Sequence, residues 1–175
     1  MRWFNFGILT FITLVIQVSV ARFLGLGPHN IMPDLLILLA VVLAFRGANS
    51  QVLIACWILG LLKDLFSQAP LGGYALSFGM VAMLIMALRN LLYGEHPLLI
   101  ISLTFLGSFL VEQMVLAISL LRGEPAVIEY GGLTLSIFFS ALFTGALAPY
   151  GQWIVMRFHR QLGLPRRRAY TRSSI

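Results

Sequence analysis

Two aspartates, Asp34 and Asp64, are the residues of this sequence best suited to acid–base work, since two carboxylates at one surface can divide the roles of general acid and general base. Nothing beyond their charge marks them for it. Three histidines, His29, His96 and His159, fall at or beyond the ends of apolar runs. The pattern puts two on one side of a membrane and one on the other, so they cannot share one metal or one nucleophile. Ser108, in "LGSFL", has no histidine in its apolar segment. The single cysteine, Cys56, excludes an intramolecular disulfide and the paired-cysteine metal motifs. There is no phosphate loop and no Gly-x-Gly-x-x-Gly. These residues supply no catalytic set, and the expectation is a protein that is not an enzyme and uses no cofactor or metal.

The elements that must position the polar residues are set by composition. Of the 175 residues 59% are hydrophobic and 10% charged, with a mean hydropathy of +0.93, outside the range of soluble proteins. A bilayer core of about 30 Å takes roughly 20 apolar residues per helix, so the chain has room for about six or seven spans. The first apolar run follows Arg2 and ends in small residues, as a signal peptide would, but it is longer than a signal core and further runs follow, so it reads as a retained helix. The net charge of +6 does not point to nucleic acid. Six of the twelve basic residues, Arg157, Arg160, Arg166, Arg167, Arg168 and Arg172, lie in the last nineteen positions, as expected for a cytoplasmic tail facing anionic lipid or a cytoplasmic filament protein.

The pattern predicts an all-α polytopic membrane protein with helices over about 4–24, 31–46, 50–66, 74–92, 97–121 and 133–157. This divides the chain into a six-helix transmembrane domain, 1–158, and a basic tail, 159–175. Pro33 suits the first turn of the second helix and Asp34 its positive end. The second and third helices are short enough to form a re-entrant hairpin instead. With the amino terminus inside, nine Lys and Arg residues lie on the cytoplasmic side and three, Arg22, Lys63 and Arg122, outside. Both termini are therefore expected in the cytoplasm.

On that map the polar residues gather in the outer third. At 1.5 Å per residue, Gln17 lies about 20 Å up and Asp64 and Glu112 about 22 Å up, while Asp34 opens the second helix from outside. Lys63 is expected to snorkel outward. A carboxylate near mid-bilayer costs about 2.5–3.5 kcal/mol and less near the interface, so Glu112 should face protein or water. It could belong to an outward pocket or a partner contact, or be hydrogen-bonded to Gln113, Lys63 or a neighbouring helix. Asp64 could meet a partner, or end its helix by binding loop amides. Small residues four apart, Ala40/Ala44/Ala48, Ala75/Gly79 and Ala141/Gly145, suit close helix packing.

The succession "PDLLILL" from Pro33, "FRG" at Phe45 to Gly47, and "GLLKDLFSQAPLGGYAL" from Gly60 resembles the MreD family of rod shape-determining membrane proteins. The matching positions are Gly60, Leu61, Asp64, Pro70, Leu71 and Gly72, with Arg89 closing the next helix; Lys63 is outside the pattern. The resemblance implies a non-enzymatic part of the bacterial elongation machinery in the inner membrane. Its members are thought to bind MreC, and through it to connect MreB filaments with RodA and its penicillin-binding transpeptidase partner. It also implies a fold similar to the substrate-binding subunits of energy-coupling-factor transporters, which supplies the alternative: an outward-facing vitamin-binding subunit. Against it, the first helix lacks the Ala-x-x-x-Ala element of those subunits. The candidate partner surface comprises Gln17, Asp34, Asp64, Pro70, Leu71, Gly72 and Glu112, with Arg160, Arg166, Arg167 and Arg168 facing lipid or a cytoplasmic partner.

Overall fold

A hydrophobic chain must close every backbone hydrogen bond within itself wherever water is absent, and helices do this locally. The computed structural model describes residues 3–24, 33–47, 50–67, 71–88, 97–122 and 130–162, and they form six helices. These are α1 (Trp3–Leu24), α2 (Leu35–Arg46), α3 (Ser50–Phe66), α4 (Gly73–Leu88), α5 (Pro97–Leu121) and α6 (Tyr130–Leu162). Two segments, Leu98–Leu121 and Thr134–Val155, are long and apolar enough to cross a membrane.

The outside of the bundle carries many large apolar side chains. Phe4, Phe11, Leu65, Met83, Leu98 and Trp153, on five different helices, are each more than half exposed. A water-facing surface would not carry such large apolar patches, whereas lipid accepts them. The architecture fits a helical membrane protein.

At the centre stands α2. It is apolar all round, every residue from Leu36 to Phe45 is buried, and it touches the other five helices. Its 12 residues rise only about 18 Å, short of a bilayer core, but its surroundings are protein. The backbones of α3 and α4 meet at Gly60: a Cβ there would lie 2.6 Å from the Cα of Ala75 and 2.7 Å from the carbonyl oxygen of Tyr74. α5 and α6 pack as an antiparallel pair, with a Cβ at Gly145 lying 3.2 Å from that of Phe105. Ala40, Ala44, Ala75 and Ala141 are buried, so small residues serve internal contact here; Ala48 lies outside the described residues.

The helix limits agree with expectation for α3 and α5 and differ elsewhere. α6 starts at Tyr130 and runs through Pro149 to Leu162, past the expected end at 157. α4 begins at Gly73, and its expected last residues, 89–92, lie outside the described residues. α2 begins after Asp34, not before it. Pro33 is therefore not in the first turn: the Asp34 carboxylate takes the first-turn amides and makes Asp34 the cap.

Candidate functional site

The start of α2 shows how the polar residues are used. A helix leaves its first amides without internal partners, and in an apolar surrounding each must find one. Here all are accounted for. The Asp34 amide donates to Thr144 Oγ1 of α6 at 3.0 Å, and the Leu35 amide to Gln17 Oε1 of α1 at 2.7 Å. The Leu36 and Ile37 amides donate to Asp34 Oδ1 at 3.1 and 3.2 Å, and the Leu38 amide to the Asp34 carbonyl at 3.2 Å. Gln17 also donates through Nε2 to the Pro33 carbonyl at 3.2 Å.

Asp34 Oδ2 is left for a cation, and Lys63 of α3 supplies it. The Lys63 ammonium also donates to Glu112 Oε1 of α5 at 2.8 Å and lies 3.9 Å from the centroid of the Tyr74 ring of α4. Tyr74 in turn donates its hydroxyl to Glu112 Oε2 at 3.1 Å. The three ammonium protons are thus met by two carboxylates and an aromatic face. With Gln17 and Thr144, the layer draws on all six helices. The side chains of Lys63, Asp34 and Glu112 are 14%, 13% and 27% exposed, so Glu112 is the most open of the three.

Lys63 does not snorkel outward as expected; with two carboxylates beside it the ammonium gains more by turning inward. Its neighbour Asp64 serves a second purpose. It is 2% exposed and accepts from the Tyr74 and Ala75 amides at 2.9 and 3.0 Å, capping α4 from another helix. Asp34 and Asp64 therefore form no carboxylate pair; each closes a different helix terminus. Gly60 and Asp64, four residues apart, share the α3 face against α4, and the chain turns between the two helices at Gly72 with a φ of +91°, open to glycine without strain. Leu71, just before it, is 69% exposed, and its carbonyl accepts from Arg122 Nη2 at 3.4 Å.

Of the residues singled out by sequence, the structure joins Gln17, Asp34 and Glu112 in one layer, turns Asp64 into the α4 terminus, and puts Leu71 and Gly72 in the adjoining turn. Pro70, the Arg160 side chain and Arg166, Arg167 and Arg168 lie outside the described residues. Lys63 is the residue that sequence reasoning left out of the site. Its signal was a lone cation at the calculated height of Glu112.

A void of about 10 Å³ lies among Ile37, Val41, Phe78, Val81 and Val111; it is at the lower limit for one water and has an apolar lining. A groove of about 440 Å³ between α5 and α6, along Ile101, Phe105, Leu142 and Gly145, opens sideways. Among the described residues no three His, Cys, Asp or Glu side chains are grouped to hold a metal ion.

A family model described as rod shape-determining protein MreD matches residues 1–156. The chain belongs to that family, and so to the membrane proteins of the rod-shape machinery. No curated protein and no solved structure matches it.

Proposed function

We propose that this chain is a non-enzymatic scaffold of the bacterial elongation machinery, lying in the inner membrane with its charged layer beneath the outer leaflet and both termini in the cytoplasm. It binds MreC on its outer side and thereby helps couple cytoplasmic MreB filaments to peptidoglycan synthesis by RodA and its penicillin-binding transpeptidase partner. The six-helix bundle is set across the bilayer, with α2, too short to cross it alone, held inside the other helices. The basic tail, 159–175, with Arg160, Arg166, Arg167 and Arg168, lies on anionic headgroups, where each arginine contributes about 1 kcal/mol.

The observation that carries the scaffold reading is that the ionisable groups are turned on one another. Asp64 is occupied by two amides, Asp34 by two amides and an ammonium, and Lys63 by two carboxylates and a ring. Catalysis or recognition of a polar solute needs groups left free for the substrate, which speaks against the vitamin-binding alternative. Co-purification from membranes tests the reading. The tagged full chain is expected to retain MreC; recovery of MreC no higher than from cells carrying the tag alone, with both proteins at normal levels, would refute it.

A further inference from the structure

The three carboxylates among the described residues, Asp34, Asp64 and Glu112, stand around the starts of α2 and α4. The opposite end of the bundle carries cations. Arg46 closes α2, and Arg157 lies on α6 thirteen residues past Thr144, which meets the first amide of α2. At 1.5 Å per residue both arginines are about 18–20 Å from the start of α2, at one depth. Arg157 is exposed, its guanidinium carbon lies 5.8 Å from the centroid of the Trp153 ring, and it forms no ion pair with a carboxylate among the described residues. Such a pair suits the headgroup level, where a ring sits half in hydrocarbon and a cation meets phosphate.

The face of α6 that carries Trp153 and Arg157 leads to the groove between α5 and α6. Gly145, Ala146, Trp153 and Arg157 follow Leu142 by three, four, eleven and fifteen residues, so all five lie on one side of the helix. The groove, of about 440 Å³, ends outward where Phe138 stands edge-on to Phe105 with ring centroids 5.5 Å apart. Leu106 and Leu142 in its lining and Trp153 at its foot are each at least half exposed, so this face is open to the bilayer. Ser102 is the one polar side chain of the lining, and its hydroxyl donates to the Leu98 carbonyl at 2.9 Å. The groove therefore offers hydrocarbon contact and no side chain to recognise a polar solute.

The two features match in scale. Gly145 and Arg157 are about 18 Å apart along α6, and the chains of one leaflet span about 15 Å, half of the core. A tail lying in the groove brings its own phosphate to Arg157. Free phosphate would leave the groove unfilled, and a zwitterionic lipid would bring an ammonium where no described carboxylate receives it. We propose that the α6 face from Leu142 to Arg157 binds one anionic phospholipid, with its phosphate on Arg157 beside Trp153 and one acyl chain in the groove along Phe105, Leu142 and Ala146. The planar guanidinium presents paired N–H donors that fit two phosphate oxygens. The lipid belongs to the inner leaflet by the orientation proposed above; the leaflet rests on that reading and the binding site does not.

The test is a lipid titration of the purified, delipidated full chain in mild detergent, followed by native mass spectrometry, with phosphatidylglycerol and phosphatidylethanolamine of identical chains. Phosphatidylglycerol is expected to bind as a single copy about tenfold more tightly, the effect of one charge-assisted hydrogen bond. Arg157→Gln is expected to remove this preference without changing phosphatidylethanolamine binding. Ala146→Phe, at an exposed position of the groove, is expected to weaken both lipids, and Arg122→Gln, at the other end of the bundle, to change neither. Equal affinities in the parent, or a preference that survives Arg157→Gln, would reveal a bulk annular lipid only and overturn the site. Undiminished binding by Ala146→Phe would remove the tail from the groove. The leaflet is read separately: Arg157→Cys is expected to react with a membrane-impermeant maleimide only after spheroplasts are lysed. Reaction in intact spheroplasts would overturn the orientation, and the inner leaflet with it, while the lipid preference measured in detergent would stand.

Discussion

Replacing Lys63 by methionine keeps the length of the side chain and removes the cation on which α3 meets Asp34 and Glu112. Two charge-assisted hydrogen bonds are lost, each contributing about 1.5–3 kcal/mol, and breaking a buried pair by removing one partner costs about 3–5 kcal/mol. The effect should fall at the lower end, about 3 kcal/mol. Asp34 keeps two backbone amides, Glu112 keeps the Tyr74 hydroxyl, and the 27% exposure of Glu112 lets water screen part of its charge. The remaining destabilisation is two carboxylates facing each other without a counterion. Adding Glu112→Gln removes one of those charges, so the double variant should recover about 1–2 kcal/mol and the two effects should not add. Unfolding of the purified protein by dodecyl sulfate in mixed micelles, followed by circular dichroism, measures both quantities. A Lys63→Met variant within about 0.5 kcal/mol of the parent, or two single effects that simply add, would show that the ammonium is not shared between the carboxylates.

Three further outcomes follow from the contacts. Gly60→Ala forces a methyl against the Ala75 Cα and Tyr74 carbonyl at 2.6 and 2.7 Å, where backbone cannot yield, and should cost about 1–3 kcal/mol or more. Gly79→Ala meets the Trp57 side chain, which is 45% exposed and can swing aside; in the same micellar titration it should be near neutral, and equal losses for the two would contradict the packing. Asp64→Ala uncaps α4 and should destabilise by about 1–2 kcal/mol, with Asp64→Asn milder because one oxygen still accepts. Comparable losses in the two would point to the charge and not the cap. Leu71→Cys should react with a membrane-impermeant maleimide added to intact spheroplasts, against little background because Cys56 is buried. Labelling of position 71 only after lysis would invert the orientation.

Hydropathy alone placed α3 and α5, because long apolar runs between polar breaks leave a helix few alternatives. It also put Gln17, Asp34, Asp64 and Glu112 at nearly one height, because rise per residue is fixed. What it could not give was rotation about the helix axis. Lys63 and Asp64 point about 100° apart, and only the packing of α3 against both α2 and α4 decides that one turns to Asp34 and Glu112 and the other to the Tyr74 and Ala75 amides. The start of α2 was misplaced for a related reason. Pro33 and Asp34 both favour a first turn, and the choice between them depends on Gln17 and Thr144, 16 and 110 residues away from the groups they bind.

The adjacent charges in "GLLKDLF" are then a consequence of helix ends lying below the surface of the bundle. α2 and α4 both begin at the charged layer, and both present unpaired amides and the positive end of a helix dipole where longer neighbours rise past them. A carboxylate at each end answers this locally: Asp34 for α2, Asp64 for α4. Asp64, with two amides at its two oxygens, is balanced by the α4 terminus alone. Asp34 is not, since its second oxygen faces α3, and Glu112 arrives on α5 with, among the described residues, a phenol to receive it. One ammonium between the two carboxylates meets both needs, and Lys63 is one residue from Asp64 because the same turn of α3 passes both the start of α2 and the start of α4. The order of cause runs from short helices to caps, from caps to an unbalanced carboxylate, and from there to the lysine. The ammonium and the positive end of α2 together face the two carboxylates, and Glu112, the more exposed of the pair, is held by Lys63 and the Tyr74 hydroxyl.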